Sequence, residues 1–426
     1  MTIEHLYGLF LLHPSVQTDT RNLRPGDIFF ALKGPSFNGN AFAQKALDEG
    51  AAYAVVDEKE YATSANTILV DDVLTTLQQL AKFHRQQFKI PFLAITGSNG
   101  KTTTKELVYA VLASTFKTYT TQGNLNNHIG IPLTLLRVKP DAEIAVIEMG
   151  ANHQKEIEGY CVYTMPTHGI ITNCGKAHLE GFGGIEGVRK GKGELYDYLR
   201  NNNGTVFRMN DYDYLREMSV GIKEVITYGT KDADITGTVV QSEPFLEVKI
   251  ERGAAIPSVK TQLVGDYNLP NVLVAITAGK YFGVRDEKIK EAIESYTPSN
   301  SRSQLIHAGD NEIILDAYNA NPSSMKLAIE NFARLHFKNK VLVLGAMAEL
   351  GKESLAEHEQ IIELISKYKW DDVVLVGGDF LKLKHPFTSF ANAGEAAHWW
   401  KEKGFRNTAV LIKGSRSTQM EKVIAI

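Results

Sequence analysis

Cysteine is nearly missing from this 426-residue chain, which carries only Cys161 and Cys174. Two thiols make no disulfide framework, and their spacing suits no zinc site. Both are expected as buried free thiols in a reducing compartment. Positive charge is not in surplus either. Lys and Arg number 46 against 49 Asp and Glu, a formal net charge of −3, which argues against a nucleic-acid surface. An anionic substrate must therefore be met by local cations. No apolar run approaches the ~20 residues of a membrane span. The opening MTIEHLYGLFLLHPS has one short apolar run, Leu9 to Leu12, with no basic stretch before it, and does not read as a secretory signal. No repeat of solenoid period and no low-complexity segment occurs. The expectation from these absences is a cytoplasmic protein with no nucleic-acid partner and no membrane insertion; a monomer is expected beside this, on no sequence signal of its own.

What is present is an ordinary globular composition, 43% hydrophobic and 22% charged, in a chain too long for one core. Residues 1–85 read as a small mixed domain with short strands at Asp27–Leu32 and Ala52–Val56, and a helix from about Leu74 to Phe88 leading out of it. From Pro91 the pattern changes. Short apolar runs (Phe92 to Ile95, Ile144 to Ile147, Gly169 to Thr172) alternate with amphipathic stretches, the pattern of a parallel sheet wrapped by helices. Alternating Val, Ile and Thr over residues 233–264 predict an antiparallel patch. After Pro298, buried-strand candidates at Ile313–Leu315, Val341–Leu344, Val373–Val376 and Val410–Ile412 are separated by long helical intervals, which predicts a second doubly wound sheet. The expected division is 1–85, 86–298 and 299–426, an α/β chain throughout.

The sharpest local signal is Ala94-Ile95-Thr96-Gly97-Ser98-Asn99-Gly100-Lys101-Thr102-Thr103-Thr104. A buried strand runs into the glycines and a helix-compatible segment follows. Glycines let the backbone turn and aim several N–H groups at one anion, and the helix N-terminus adds its positive dipole end. Lys101 can reach the terminal phosphates, and the Thr102 hydroxyl can ligate Mg²⁺. Isoleucine stands at 95 where the eight-residue P-loop has its first glycine, so this is a shortened GxxGK[ST] loop. A glycine-rich turn with an incidental lysine would not need this strand, helix and threonine context. The loop alone does not separate a kinase, a hydrolase and a ligase.

Ligands of open α/β sheets bind at the carboxyl ends of strands, and the strand from Glu143 to Ile147 ends in Glu148. That is where a magnesium carboxylate is needed; without the phosphate loop, a solvated glutamate would be the reading. A third strand ends at Thr172-Asn173 and leads to His178-Leu179-Glu180-Gly181. The basic run Arg189-Lys190-Gly191-Lys192 opens a helix, and for Arg189 and Lys190 a solvated charged face suffices.

Together with Asp19-Thr20-Arg21, Gly123 to Pro132 (GNLNNHIGIP), Asp316 to Pro322 (DAYNANP) and Lys413-Gly414-Ser415-Arg416, these residues resemble the Mur ligase family from end to end. The resemblance implies three domains: an N-terminal one for a UDP-sugar, a central P-loop-like ATPase on a mostly parallel sheet, and a Rossmann-like C-terminal one. It implies ATP and Mg²⁺, two ions, with Gly97, Ser98, Asn99, Gly100, Lys101, Thr102 and Thr103 on the phosphates. Thr102, Glu148 and His178 serve the metal. Lys192 aligns with a lysine carried as a carbamate, which is sensible because an ammonium repels Mg²⁺ whereas a carbamate offers it anionic oxygens. Asn268 and Asn271 match positions near the nucleotide base. Arg302, Asp316, Tyr318 and Asn319 match nucleotide contacts. Asp19, Thr20, Arg21, Asn126 and Asn127 match the region receiving the UDP-sugar. Tyr267, Ala346 and Asn38-Gly39-Asn40 depart from the residues many relatives carry.

The chemistry implied is carboxylate activation. The γ-phosphoryl of ATP moves to the terminal carboxylate of UDP-MurNAc-tripeptide, and the amine of D-Ala-D-Ala displaces phosphate. Lys101, His178, Lys192 and Arg302 are the expected catalytic groups, acting by positioning and charge neutralisation rather than as nucleophiles. Two alternatives stand beside this: a folylpolyglutamate-type ligase, which shares the short loop but not the asparagine-rich and DAYNANP runs, and a catalytically silent nucleotide-binding protein.

Overall fold

Runs of buried residues build three large sheets, beside a small antiparallel pair of Lys33–Gly34 with Phe37–Asn38, in the computed structural model, which describes residues 1–299 and 301–424. The first sheet is parallel throughout, in the order Val16–Gln17, Ile28–Phe30, Tyr53–Val56, Thr67–Leu69. The second has nine strands. Thr118–Thr120, Ile144–Glu148, Phe92–Thr96, His168–Ile171, Thr205–Met209, Glu224–Gly229 and Ile235–Gln241 run parallel, and Glu247–Arg252 and Ser258–Lys260 continue the edge antiparallel. Strands Phe92–Thr96 and Ile144–Glu148 are buried at every position, as strands covered by helices on both faces must be. The third sheet orders Asn311–Asp316, Ala409–Lys413, Lys340–Gly345, Asp372–Val376 and Thr388–Phe390 in parallel, with Gln304–Ala308 antiparallel on its edge.

The expected antiparallel patch and second doubly wound sheet are both present. Both cysteines are buried and free. The helix expected from Leu74 to Phe88 runs from Val73 to Arg85, started by the Asp72 side chain, which accepts from the Thr75 N–H at 2.6 Å. The apolar run near the N-terminus lies in helix Ile3–Leu12, whose Leu6 and Phe10 face the core. Among the described residues, no helix is long and apolar enough to cross a membrane.

The two junctions between sheets differ in chemistry. Arg85 is buried, lies 3.7 Å over the Phe92 ring, and donates to the carbonyls of Thr164 and Met165, both at 2.9 Å. That locks the first unit onto the second. Polar pairs join the second unit to the third: Asp266 with Arg334 (2.7 Å), Glu243 with His336 (2.8 Å), Lys176 with Glu357 (2.6 Å) and Asn99 with Asn321 (2.7 Å).

Candidate active site

A cleft of about 840 Å³ opens between the second and third sheets, at the carboxyl ends of Phe92–Thr96 and Ile144–Glu148. Strand Phe92–Thr96 sits between neighbours reached by different crossovers, which is where open α/β sheets bind ligands. Residues 98–103 form one wall. Gly97 has φ +142°, and a side chain there would meet the Thr172 hydroxyl at 2.0 Å; Gly100 has φ +78° and begins helix Lys101–Ala113. Only glycine satisfies both constraints, and the turn leaves the first N–H groups of the helix facing the cleft. Lys101 Nζ donates to the carbonyls of Gly97 (2.7 Å) and Ser98 (3.1 Å). Burial pulls its pKa down to about 8, with Glu148 opposing and Arg302 assisting.

Glu148 is buried at the strand end. Its Oε1 accepts from the Thr102 hydroxyl at 3.1 Å and from Asn126 Nδ2 at 2.8 Å, and its backbone N–H donates to the Thr121 hydroxyl at 2.9 Å. The other oxygen, Oε2, is buried with no hydrogen-bond partner. A carboxylate oxygen held this way is suited to a cation. Asn127 turns its own loop, accepting from the N–H groups of Ile129 (3.1 Å) and Gly130 (2.9 Å).

Beneath this wall Lys192 is fully buried, its Nζ donating to the Ala151 carbonyl at 2.9 Å and lying 4.8 Å from the Phe182 ring. Burial first, then the charge of Lys101, push its pKa down to about 7. His178, in the left-handed region at φ +52°, lines the cleft. Its Nδ1 lies 2.6 Å from Glu349 Oε2 but off the axis of a hydrogen bond. That proximity holds the Glu349 carboxyl below the usual range.

The far wall belongs to the third sheet and its lead-in. The Arg302 guanidinium lies 3.6 Å over the Tyr318 ring. Asp316 faces the cleft already paired, with Lys413 Nζ at 2.5 Å and the Ser303 N–H at 3.3 Å. Asn319 Oδ1 accepts from the Ala320 N–H at 2.9 Å. Asn268 and Asn271 are buried and linked by a 2.8 Å hydrogen bond, and the Thr104 hydroxyl donates to Asn271 Oδ1 at 3.0 Å. Tyr267 also lines the cleft and bonds the Ser303 hydroxyl at 3.0 Å.

The cleft thus gathers Ser98 to Thr103, Asn126, Asn127, Glu148, His178, Asn268, Asn271, Arg302, Asp316, Tyr318 and Asn319. Gly97 shapes it from behind. Asp19, Thr20 and Arg21 do not line it; they start a short turn in the first unit, where the exposed Arg21 pairs with Asp19 at 2.6 Å. Sequence reasoning left out Lys413, Asn321 and Glu349. Lys413 stood in the Lys-Gly-Ser-Arg run at a strand end, which was a usable signal. Asn321 both caps helix Pro322–Arg334 and donates to Asn99 of the phosphate loop. Glu349 sits in a loop with no periodicity, and nothing local marks it.

Comparison with known proteins agrees with this geometry. The model of the Mur ligase middle domain matches residues 95–279, that of the Mur ligase glutamate ligase domain residues 301–416, and that of the Mur ligase family catalytic domain residues 14–85. The chain is 35% identical to the UDP-N-acetylmuramoyl-tripeptide–D-alanyl-D-alanine ligase of Bacillus subtilis (strain 168), covering 98% of this chain and 93% of that one. It is also 35% identical to the ligase of the same name from Escherichia coli (strain K12), covering 98% and 94%. Among solved structures it is similar to the MurF ligase of Thermotoga maritima in complex with ADP, with a TM-score of 0.88, 27% identity, and 97% of each chain covered.

Proposed function

This chain belongs to the Mur ligase family, and from that premise we propose that it is an ATP-dependent, ADP-forming amide ligase that joins D-Ala-D-Ala to UDP-MurNAc-tripeptide in peptidoglycan precursor synthesis. The observation that carries the reading is the two-walled cleft, in which a phosphate loop on one unit faces a cation and an aromatic ring on another. Units 1–85, 86–298 and 299–426 divide the work: UDP-sugar, nucleotide phosphates, and the remaining nucleotide contacts. The cytoplasm, where the nucleotide substrates reside, is its place, and a monomer suffices.

In this reading ATP lies with its phosphates on the N–H groups of Gly97 to Thr103, and Lys101 and Arg302 balance their charge. Asn268 and Asn271 lie near the base, with Asp316, Tyr318 and Asn319 on the nucleotide from the opposite wall. The γ-phosphoryl passes to the tripeptide carboxylate, releasing ADP. The amine nitrogen then bonds to the acyl carbon, inorganic phosphate leaves, and the nitrogen loses a proton. The chain's task is positioning, because both reactants are anionic and no side chain needs to become covalent.

Thr102, Glu148, His178 and Lys192 would hold magnesium, and the unpartnered Glu148 Oε2 fits that role. Among the described residues no three His, Cys, Asp or Glu side chains cluster as a metal site. Magnesium supplies charge neutralisation on the transferring phosphoryl group. Lys192, with its pKa near 7, keeps a large neutral fraction at physiological pH. A neutral amine can attack carbon dioxide, forming the N–C bond and releasing one proton. Asp19, Thr20, Arg21, Asn126 and Asn127 receive the UDP-sugar substrate. Asn126 also touches Glu148, so the loop that meets that substrate bears on the metal carboxylate.

The test is phosphate release from ATP by the purified protein. Release is expected only when UDP-MurNAc-tripeptide and D-Ala-D-Ala are both present, with amide product in equal amount. Release with glutamate and a folate acceptor instead, or no release with any pair, would refute the reading.

A further inference from the structure

The incoming amine reaches the enzyme as an ammonium, and something must hold it beside the acyl group before it attacks. A carboxylate in the cleft is the natural receptor, and most of those present are committed. Asp316 is held by Lys413 (2.5 Å), Asp266 by Arg334 (2.7 Å), and Glu330 by Lys326 (3.8 Å). Glu156 accepts the N–H groups of Asn152 (2.6 Å) and His153 (3.0 Å), and Asp211 accepts that of Thr230 at 2.9 Å. Glu148 faces Thr102 and Asn126. Glu349 differs. Among the described residues it has no lysine or arginine partner, its side chain lines the cleft and is 47% exposed, and the contact seen is that of Oε2 with His178.

Its backbone is held to aim it. The Met347 N–H donates to buried His358 Nε2 at 3.0 Å, the Ala348 N–H to the Ser415 hydroxyl at 2.8 Å, and the Ser415 N–H to the Ala346 carbonyl at 3.2 Å. Glu349 itself adopts φ +63°, a left-handed conformation that costs a residue with a side chain about 1 kcal/mol. At the next glycine, Gly351, an added Cβ would lie 3.0 Å from Glu180 Cβ, so the loop rests directly on the segment carrying His178. A fixed, strained loop thus presents one incompletely paired carboxylate across the domain junction from the phosphate loop.

We propose that Glu349 is the receptor for the ammonium of the incoming amine substrate, on the reading that this cleft performs the amide ligation above. The carboxylate binds the ammonium from the C-terminal side; the ammonium then gives one proton to solvent, and the neutral nitrogen, its lone pair freed, faces the acyl carbon beside His178.

The test is steady-state kinetics on the full-length enzyme, varying each substrate in turn. Glu349→Gln keeps the length and polarity of the side chain and removes its charge. The KM for D-Ala-D-Ala should rise roughly 10–100-fold, the worth of one charge-assisted hydrogen bond. The KM values for ATP and for UDP-MurNAc-tripeptide should move by less than about threefold, because their charged groups are met elsewhere. Glu349→Asp, which keeps the charge, should recover most of the affinity for the dipeptide. A parallel rise in the KM for ATP would mark a mere strut between the domains and overturn the assignment. So would a rise confined to the tripeptide substrate, equal losses in the Gln and Asp variants, or an unmoved dipeptide KM. Wild type run alongside separates the two levels: if it makes no amide product, the functional reading itself fails, not the role of Glu349 alone.

Discussion

Replacing Lys192 by methionine should abolish turnover yet make the folded protein more stable, most strongly at low pH. The lysine is fully buried and its pKa falls from 10.5 to about 7, first through lost hydration and then through Lys101. In the unfolded chain the amine keeps its ordinary pKa. Below pH 7 both states carry the proton, so the folded state bears the whole penalty of a buried ammonium. Between about 7 and 10.5 the unfolded state binds a proton that the folded state has released, so stability rises with pH across that window. At about 1.4 kcal/mol per unit, the penalty is about 5 kcal/mol at pH 6 and about 2 kcal/mol at pH 9. Methionine fills similar volume without the charge, and loses the hydrogen bond to Ala151, worth about 1 kcal/mol. The decisive quantity is therefore the slope, a stability advantage of the variant that shrinks by about 3 kcal/mol from pH 6 to pH 9. Thermal unfolding in carbon-dioxide-depleted buffer measures it; for a domain of this size the gap in midpoints should close by roughly 5–10 °C. A gap that stays constant with pH, or a variant less stable at pH 6, would refute the buried-ammonium argument.

Three further outcomes are expected. Lys101→Ala should fold with a stability change of about 1 kcal/mol or less and lose roughly 100- to 1000-fold in turnover, measured by phosphate release; near-normal rates would remove Lys101 from the phosphates. Asp316→Asn should leave the Lys413 ammonium buried and unpaired, destabilising the third sheet by about 3–5 kcal/mol in denaturant unfolding. The added change Lys413→Met should restore stability without restoring ATP use, and recovery of both would make the pair purely structural. Asn126→Ala should lower kcat about 10-fold with stability nearly unchanged, since Glu148 Oε1 keeps Thr102 but loses its second donor; an unaltered kcat would show that Glu148 needs no such support.

What could be seen in the sequence was whatever leaves a dense local pattern. Central strands such as Phe92–Thr96 and Lys340–Gly345 are buried on both faces, so they appear as unbroken apolar runs. The phosphate loop condenses its constraint into Gly97, Gly100 and Lys101. Edge strands are half wet and short, as at Val16–Gln17, Thr118–Thr120 and Thr388–Phe390, and leave no run to find. The helix at the N-terminus was obscured by its own composition, because Leu11 and Leu12 are exposed while Leu6 and Phe10 carry the packing. By local pattern Lys192 was one charge in a basic run, and the family resemblance alone set it apart from Arg189 and Lys190; its depth depends on what packs over the helix.

The least legible part of the site is the part built by pairings distant in sequence. Asp316 invites reading as a turn-former before Pro322, yet its partner is Lys413, a strand distant in sequence but adjacent in the sheet through the register Asp316↔Lys413. Asn321 does cap a helix, as its position promises, and with its other side-chain atom it reaches Asn99. One residue thereby serves local folding and contact between units, and sequence displays only the first. The chemistry of the junctions follows the same division. The first unit is fastened by a buried arginine stacked on an aromatic ring. The third adds exposed or half-exposed ion pairs and single hydrogen bonds, each worth about 1 kcal/mol or less in water, to an apolar cluster that runs through all three units. If both walls hold the nucleotide as proposed above, nucleotide binding would draw the junction together around its substrates. With the roles proposed above, Arg302 and Glu349 stand on the third unit, so charge balance and the amine receptor would both need the two walls together.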